Sequence, residues 1–200
     1  MSQQATKMLA LDTKTGTRRP FCSSRHSAIQ FLGSPVIAAT NRYLVSCNLL
    51  TSHSYTPAAQ PDVPRNITIA VTDTTPSITA GTITVSGYDV HGDAVSEVLD
   101  LSTGLTLTGT LIFAVVSSIV TSAITILGGA GDELIVVGCG SVIGLPDDLI
   151  LESAVTAVWL GGTALAAPVI AVGEQTSGVN ASSGTYNGTK VLLVAYNPGE

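Results

Sequence analysis

The stretch RNITIAVTDTTPSITAGTITVSGYDVHGDAVSEVLDL, Arg65 to Leu101, decides the fold of this chain. Within it Asn66 to Thr72, Gly81 to Tyr88 and Ala94 to Leu101 each alternate apolar residues with polar or small ones. A period of two puts one face of a strand against a core. Val, Ile and Thr dominate these runs, and their branched Cβ atoms favour extended backbone. Between the second and third runs lies Asp89-Val90-His91-Gly92-Asp93, where His-Gly can take the positive-φ positions of a tight hairpin turn. The stretch reads as a β meander.

The same chemistry continues downstream. Strands are expected at Leu111 to Ser118, Ser122 to Leu127, Glu133 to Gly138, Leu149 to Trp159, Ala166 to Val172 and Lys190 to Tyr196, punctuated by Gly, Pro and Asp. Pro146 followed by Asp147 and Asp148 could open a single helical turn, and no longer helix is expected. The fold class is therefore all-β: an antiparallel sandwich, jelly roll or barrel-like body over residues 66–200. Residues 34–65 are transitional. VIAAT and RYLVSCNLL are strand candidates there, and His53 to Pro64 is a connector whose Pro57, Pro61 and Pro64 exclude a helix or a central strand. Residues 1–33 keep no sustained period and end at Gly33-Ser34-Pro35, so an extended N-terminal arm is expected.

Charge divides the chain at the same place. Up to residue 65 it carries Lys7, Lys14, Arg18, Arg19, Arg25, Arg42 and Arg65 against Asp12 and Asp62, a formal +5. Beyond it Lys190 stands alone against twelve acids, a formal −11, and the net of −6 conceals the contrast. A basic arm can dock on an acidic surface, and a second copy supplies one. The body's charge disfavours nucleic acid, which needs Lys and Arg to neutralise phosphate. Only 11% of residues are charged and 4% aromatic, so Val, Ile, Leu and Ala must build the core and the surface is poor in charge. Such surfaces are expected to be covered by neighbours.

Residues 101–131 are uncharged and include LIFAVVSSIVTSAITIL, near the length of a membrane span. Repeated Ser and Thr, bracketing glycines and the lack of flanking basic residues favour two adjoining buried strands, with no membrane partner. The opening MSQQATKMLALDTKTGTRR lacks the apolar core of a secretory signal, and Cys22, Cys47 and Cys139 form no CxxC pair. Reduced thiols and cytoplasmic synthesis are expected.

No motif for catalysis emerges. Cys22-x3-His26 with Cys47-x5-His53 supplies two thiols and two imidazoles, but each pair is mixed and lacks the short paired spacing of zinc modules. ELIVVGCGSVIG, Glu133 to Gly144, resembles a strand and glycine turn of a nucleotide site, yet Leu145-Pro146-Asp147-Asp148 removes the helix that would face phosphate. Those glycines are expected to form a bulge or tight bend. Glu97 with Asp100, or Asp147 and Asp148 with Glu152, offer carboxylate pairs for glycoside cleavage, without the aromatics that a sugar cleft needs. Asp89, Asp93 and the Asp132-Glu133 pair offer oxygen to calcium, without an EF-hand loop. Lys190 reads as an edge-strand charge, and Trp159 as a core residue. No cofactor is expected.

Pro64 to Ser102, GDELIVVGCGSVIGLPDDL (Gly131 to Leu149) and NGTKVLLVAYNP (Asn187 to Pro198) together resemble small β-rich virion structural proteins of tailed bacteriophages, most closely capsid decoration or cement proteins. The resemblance rests on the order of strands and turns and implies a non-enzymatic part of the capsid exterior. It further implies synthesis in the host cytoplasm, with the major capsid protein and copies of itself, commonly as a homotrimer, as partners. Candidate assembly contacts lie in the arm: Arg18, Arg19 and Arg25 as electrostatic anchors, and Phe21, Ile29, Phe31 and Leu32 as apolar ones. The rival expectations are a tail-tube or neck subunit and a glycan-binding or host-adhesion β module.

Overall fold

The computed structural model describes residues 8–11, 18–21, 28–73, 77–127, 133–166, 168–173, 175–181 and 185–197, the first two segments by their backbone alone. The described residues form no α-helix. In chain order the strands are β1 (Met8–Leu11), β2 (Arg18–Phe21), β3 (Ala28–Phe31), β4 (Ala39–Asn48), β5 (His53–Tyr55), β6 (Arg65–Thr72), β7 (Ile78–Tyr88) and β8 (Ala94–Asp100). They continue with β9 (Thr106–Thr108), β10 (Val115–Ile126), β11 (Leu134–Gly144), β12 (Val155–Leu160), β13 (Thr163–Ala164), β14 (Val169–Ala171), β15 (Gly178–Asn180) and β16 (Leu192–Tyr196). Single 3-10 turns occupy Leu101–Thr103 and Glu152–Ala154. Residues 146–151, where a helical turn is expected, are not helical.

The architecture is all-β and antiparallel. Three sheets, with a curled half-barrel among them, make the body, and β1 pairs with β2 as a separate hairpin. The first sheet has the order β5-β10-β7-β8, and the second β14-β15-β11-β6-β9. Along one edge of β11, β4 and β15 follow each other: β4 pairs with Leu134 to Cys139, and β15 with Val142 to Gly144. The third sheet has the order β13-β12-β16-β3. The N-terminal strand β3 therefore closes on the C-terminal strand β16, with Phe31 opposite Leu193 and Ile29 opposite Ala195. Residues 28–33 extend this sheet, and β4 is a full member of the second one.

Two cores result. Tyr43, Ile67, Ile69, Ile83, Val85, Phe113, Ile119, Ile135 and Val137 belong to the first, between the β5-β10-β7-β8 sheet and the β4, β6 and β11 region. Ile143, Leu149, Val158, Leu160, Val179, Leu192, Val194 and Tyr196 belong to the second. β11 feeds both, because its first half packs into one and Ile143 into the other. The apolar run of β11 is the long buried strand that such double duty requires.

Several local readings change. The strands expected at Leu111 to Ser118 and Ser122 to Leu127 are a single strand, β10, that starts at Val115 and shifts register between Ser122 and Thr125. Ala123 takes φ 52° there, and opposite it Gly81 (φ 141°) leaves room for Ile124, whose Cδ1 would lie 2.4 Å from an added Cβ. The glycines of VVGCGSVIG make no tight bend, but they fall where β11 shifts register, between Val137 and Cys139 against β4 and between Cys139 and Ile143 against β6, as the expected bulge would. They lie within β11, where a Cβ on Gly138 would stand 1.8 Å from the Ala39 carbonyl oxygen of β4, and one on Gly140 2.2 Å from Asn66 Oδ1. Glycine is needed here for close approach, not for a turn. At Asp89 to Asp93 only Gly92 has positive φ (83°), and His91 is exposed. The Asp89 carboxylate holds this turn by accepting the His91 and Asp93 N–H groups at 2.8 and 2.9 Å. Lys190 lies just before β16, an interior strand, so it does not guard an edge.

Candidate functional site

Of the candidate assembly contacts, Ile29 and Phe31 lie on β3, and Leu32 follows it directly. β3 is held from the body side by an ion pair. Fully buried Arg65 meets Asp62 at 3.1 Å, its Nη1 and Nη2 both donate to the Val36 carbonyl at 3.3 Å, and Asp62 Oδ2 accepts the Val36 N–H at 2.8 Å. Both backbone groups of Val36 are thereby fixed just beyond β3. The Gly33 carbonyl accepts Leu192 N–H at 2.8 Å, and Leu32 N–H donates to the Leu192 carbonyl at 3.0 Å. The connector that ends in Pro64 is fastened elsewhere too: the Gln60 amide both accepts from and donates to the Val116 backbone, at 2.9 and 3.0 Å, as a strand neighbour would.

Alternation on the third sheet then sorts its side chains. Leu192, Val194, Tyr196, Val158 and Leu160 face the second core, and Leu32 packs against it. The opposite face carries two cross-strand rows: Phe31, Leu193, Trp159 and Ala164, and beside it Ile29, Ala195 and Ala157. Phe31 is 74% exposed and Ile29 61%. Trp159, expected in a core, is half-buried on this outer face. None of the strands β3, β12, β13 and β16 contains a charged residue. Ile29 and Phe31 are thus brought together on the outer face, whereas Leu32 turns inward. Arg18, Arg19 and Phe21 lie on β2, paired with Leu11, Ala10 and Met8 respectively. Arg25, with Cys22 and His26 of the metal constellation, lies outside the described residues.

The other candidates are built into the scaffold. One Glu97 carboxylate oxygen accepts the Thr110 N–H at 2.6 Å, the Thr110 hydroxyl at 3.1 Å and the Leu111 N–H at 3.4 Å, pinning the loop after β9. The Asp100 carboxylate accepts Ser102 N–H at 2.8 Å, which holds its pKa below the usual value. Asp147 accepts from the Tyr196 hydroxyl at 2.5 Å, and burial, reinforced by this bond, raises the Tyr196 pKa. Glu133 is buried and accepts from the Ser77 hydroxyl at 2.8 Å. Among the described residues no group of three His, Cys, Asp or Glu side chains stands together as a metal site, and no helix is long and apolar enough to cross a membrane.

A groove of about 570 Å³ runs between the end of β9 and β14, lined by Asn66, Thr108, Thr110, Val142, Glu152 and Thr176 among others. Its floor is rigid. Asn66 donates to the Gly109 carbonyl at 2.9 Å and accepts Val142 N–H at 3.0 Å, so its amide is spent on tying β6 to the loop after β9 and to β11. Among the described residues the lining has no aromatic ring and one carboxylate, Glu152, which by themselves give neither a stacking surface nor an acid–base pair.

Sequence reasoning could find Ile29 and Phe31 as apolar residues in a polar arm. It missed the Leu193, Ala195, Ala157 and Trp159 half of the surface, because LLVAY and VTAVWL are apolar on both faces and give no sign of which one turns out. No family model matches the chain, nor does any curated protein or solved structure.

Proposed function

We propose that this chain is a non-enzymatic virion structural protein that binds and reinforces a tailed-bacteriophage capsid as a decoration or cement protein. The observation that carries the reading is the uncharged outer face of the third sheet, with Phe31 and Ile29 largely exposed at its edge. A contiguous apolar face of this kind marks an interaction surface. The basic segment lies immediately before it in sequence, and the acidic body behind it. Three of the carboxylates considered for hydrolysis are engaged in the scaffold: Glu97 and Asp100 hold backbone N–H groups, and Asp147 holds Tyr196. Many copies, each making a modest contact, would reinforce a shell by avidity.

The test is to label intact particles with antibody against the chain and to compare shells with and without it under rising temperature. Signal over the head, with earlier rupture of shells lacking the chain, is the expected result. Label confined to the tail or neck would replace the reading with a tail or neck subunit. A glycan-binding reading has one specific observation behind it: Phe31 and Trp159 stand on the same face, separated by a single strand. Retention of the chain on insoluble polysaccharide, lost in Trp159→Ala, would favour that reading.

A further inference from the structure

We propose that the outer face of the β13-β12-β16-β3 sheet is an interface with a second copy of this chain, and that the copy's basic hairpin β1–β2 completes it. The proposal specifies the partner within the assembly reading above, and its test is independent of any capsid. A sheet that is apolar on both faces needs a layer on each. The inner face has the second core, whereas the outer face shows Phe31 and Ile29 to solvent.

Magnitudes decide what must cover it. Strands lie about 4.8 Å apart and rise about 3.4 Å per residue, so four short strands offer roughly 300 Å² of flat face. A stable association buries about 800 Å² per partner. Apolar contact between two such faces therefore falls short, and something adjoining must contribute. The hairpin is that element. It forms a two-stranded sheet of its own, an arrangement that is marginal in water until it packs on a surface.

Only residues 22–27 separate the hairpin from β3, a reach of about 25 Å at full extension. Contact at the β3 edge would thus set each hairpin over the other copy. Charge completes the argument. Arg18 and Arg19 lie on β2, and in sequence Lys7 precedes β1, Lys14 falls between the two strands and Arg25 follows β2, while the body beyond residue 65 carries a formal −11. The leader is attracted by the body of a second copy, and the uncharged sheet face raises no repulsion between copies.

Trp159 is the only tryptophan and stands on this face, so its fluorescence reports the cover directly. The experiment uses the full chain across a dilution series, with light scattering for mass and acrylamide quenching for Trp159. Phe31→Ser and the triple variant Arg18→Ala, Arg19→Ala, Arg25→Ala serve beside it, and circular dichroism confirms folding. The expected result is a multimer in which Trp159 is shielded and becomes quenchable as the mass falls. Association should weaken at least about tenfold in Phe31→Ser. In the arginine variant it should weaken at low salt, and the parent should lose affinity as salt rises. A multimer with freely quenched Trp159 would overturn the proposal by placing the interface elsewhere. A monomer at every concentration would overturn it too, and shielded Trp159 in that monomer would show the hairpin seated on its own sheet.

Discussion

Arg65 is completely buried, and the carboxylate 3.1 Å away that answers its charge belongs to Asp62, only three residues earlier. The pair holds Val36 through both of its backbone groups and so governs how the chain enters the body after β3. Asp62→Ala would leave a guanidinium buried without a counter-charge, a loss of about 3–5 kcal/mol. Arg65→Met with Asp62→Ala should cost less than the sum of the two single changes, since neither charge is then stranded. Urea unfolding of the three variants checks this; a double-variant loss equal to the sum of the single losses would show that the two charges are not coupled.

Gly138→Ala should be among the most damaging small substitutions in the protein. Its Cβ would stand 1.8 Å from the Ala39 carbonyl oxygen and 2.4 Å from the Thr40 carbonyl carbon, and backbone cannot yield as a side chain tip can. The expected loss is about 3 kcal/mol. At Gly92 an added Cβ meets nothing within 4 Å. Gly92→Ala should therefore lose only the left-handed backbone penalty, about 1–2 kcal/mol. Melting temperatures of the two variants give the comparison.

Alkaline pH should unfold this protein through its buried phenols. Burial raises the pKa of Tyr43, Tyr186 and Tyr196 above 10.0, and the Asp147 carboxylate reinforces the shift at Tyr196. The folded state thus prefers the protonated phenol. This stabilisation is complete below pH 10, where the unfolded chain also keeps its protons, and is lost as pH rises through the folded values. Tyr196→Phe should lose less stability than the parent between about pH 10 and 12, as denaturant midpoints would reveal. Parallel losses in both proteins would count against Tyr196 as a contributor.

Removing Glu97 should loosen one loop without dissolving the sheet. Its oxygen serves Thr110 twice and Leu111 once. In Glu97→Ala, amide hydrogen exchange at Thr110 and Leu111 should quicken by about tenfold or more, the loss expected for a hydrogen bond to a charged acceptor. Gly109 N–H, which donates to the Ile67 carbonyl at 2.9 Å, should change less. Glu97→Gln, which keeps an acceptor oxygen, should fall between parent and Ala.

The strands β6, β7 and β8 were legible in the sequence because each reports its own environment by alternation. The glycines of β11 were not, since Gly138 is dictated by Ala39 and Gly140 by Asn66, residues that only the folded chain brings near. The pairing of β3 with β16 was hidden for the same reason: AIQF is too short to show a period, and its partner lies at the far end of the sequence. At the candidate surface Ile29 and Phe31 were visible as apolar intrusions in a polar segment. Trp159 was placed in a core because hydrophobicity alone does not distinguish the two faces of a strand that is apolar on both.

The closure of β3 on β16 also sets a clock on synthesis. Phe31 meets Leu193, and a ribosome adding about 5–20 residues per second needs roughly 8–30 s to travel between them. For most of that interval Ile29 and Phe31 stand outside the tunnel without the strand that will receive them, and the second core lacks Leu192, Val194 and Tyr196. The first core, complete once β11 has emerged, can fold earlier. Every nascent chain on a crowded message consequently exposes the same unpaired apolar segment, which makes β3 the place where a chaperone, or a neighbouring nascent chain, would first take hold.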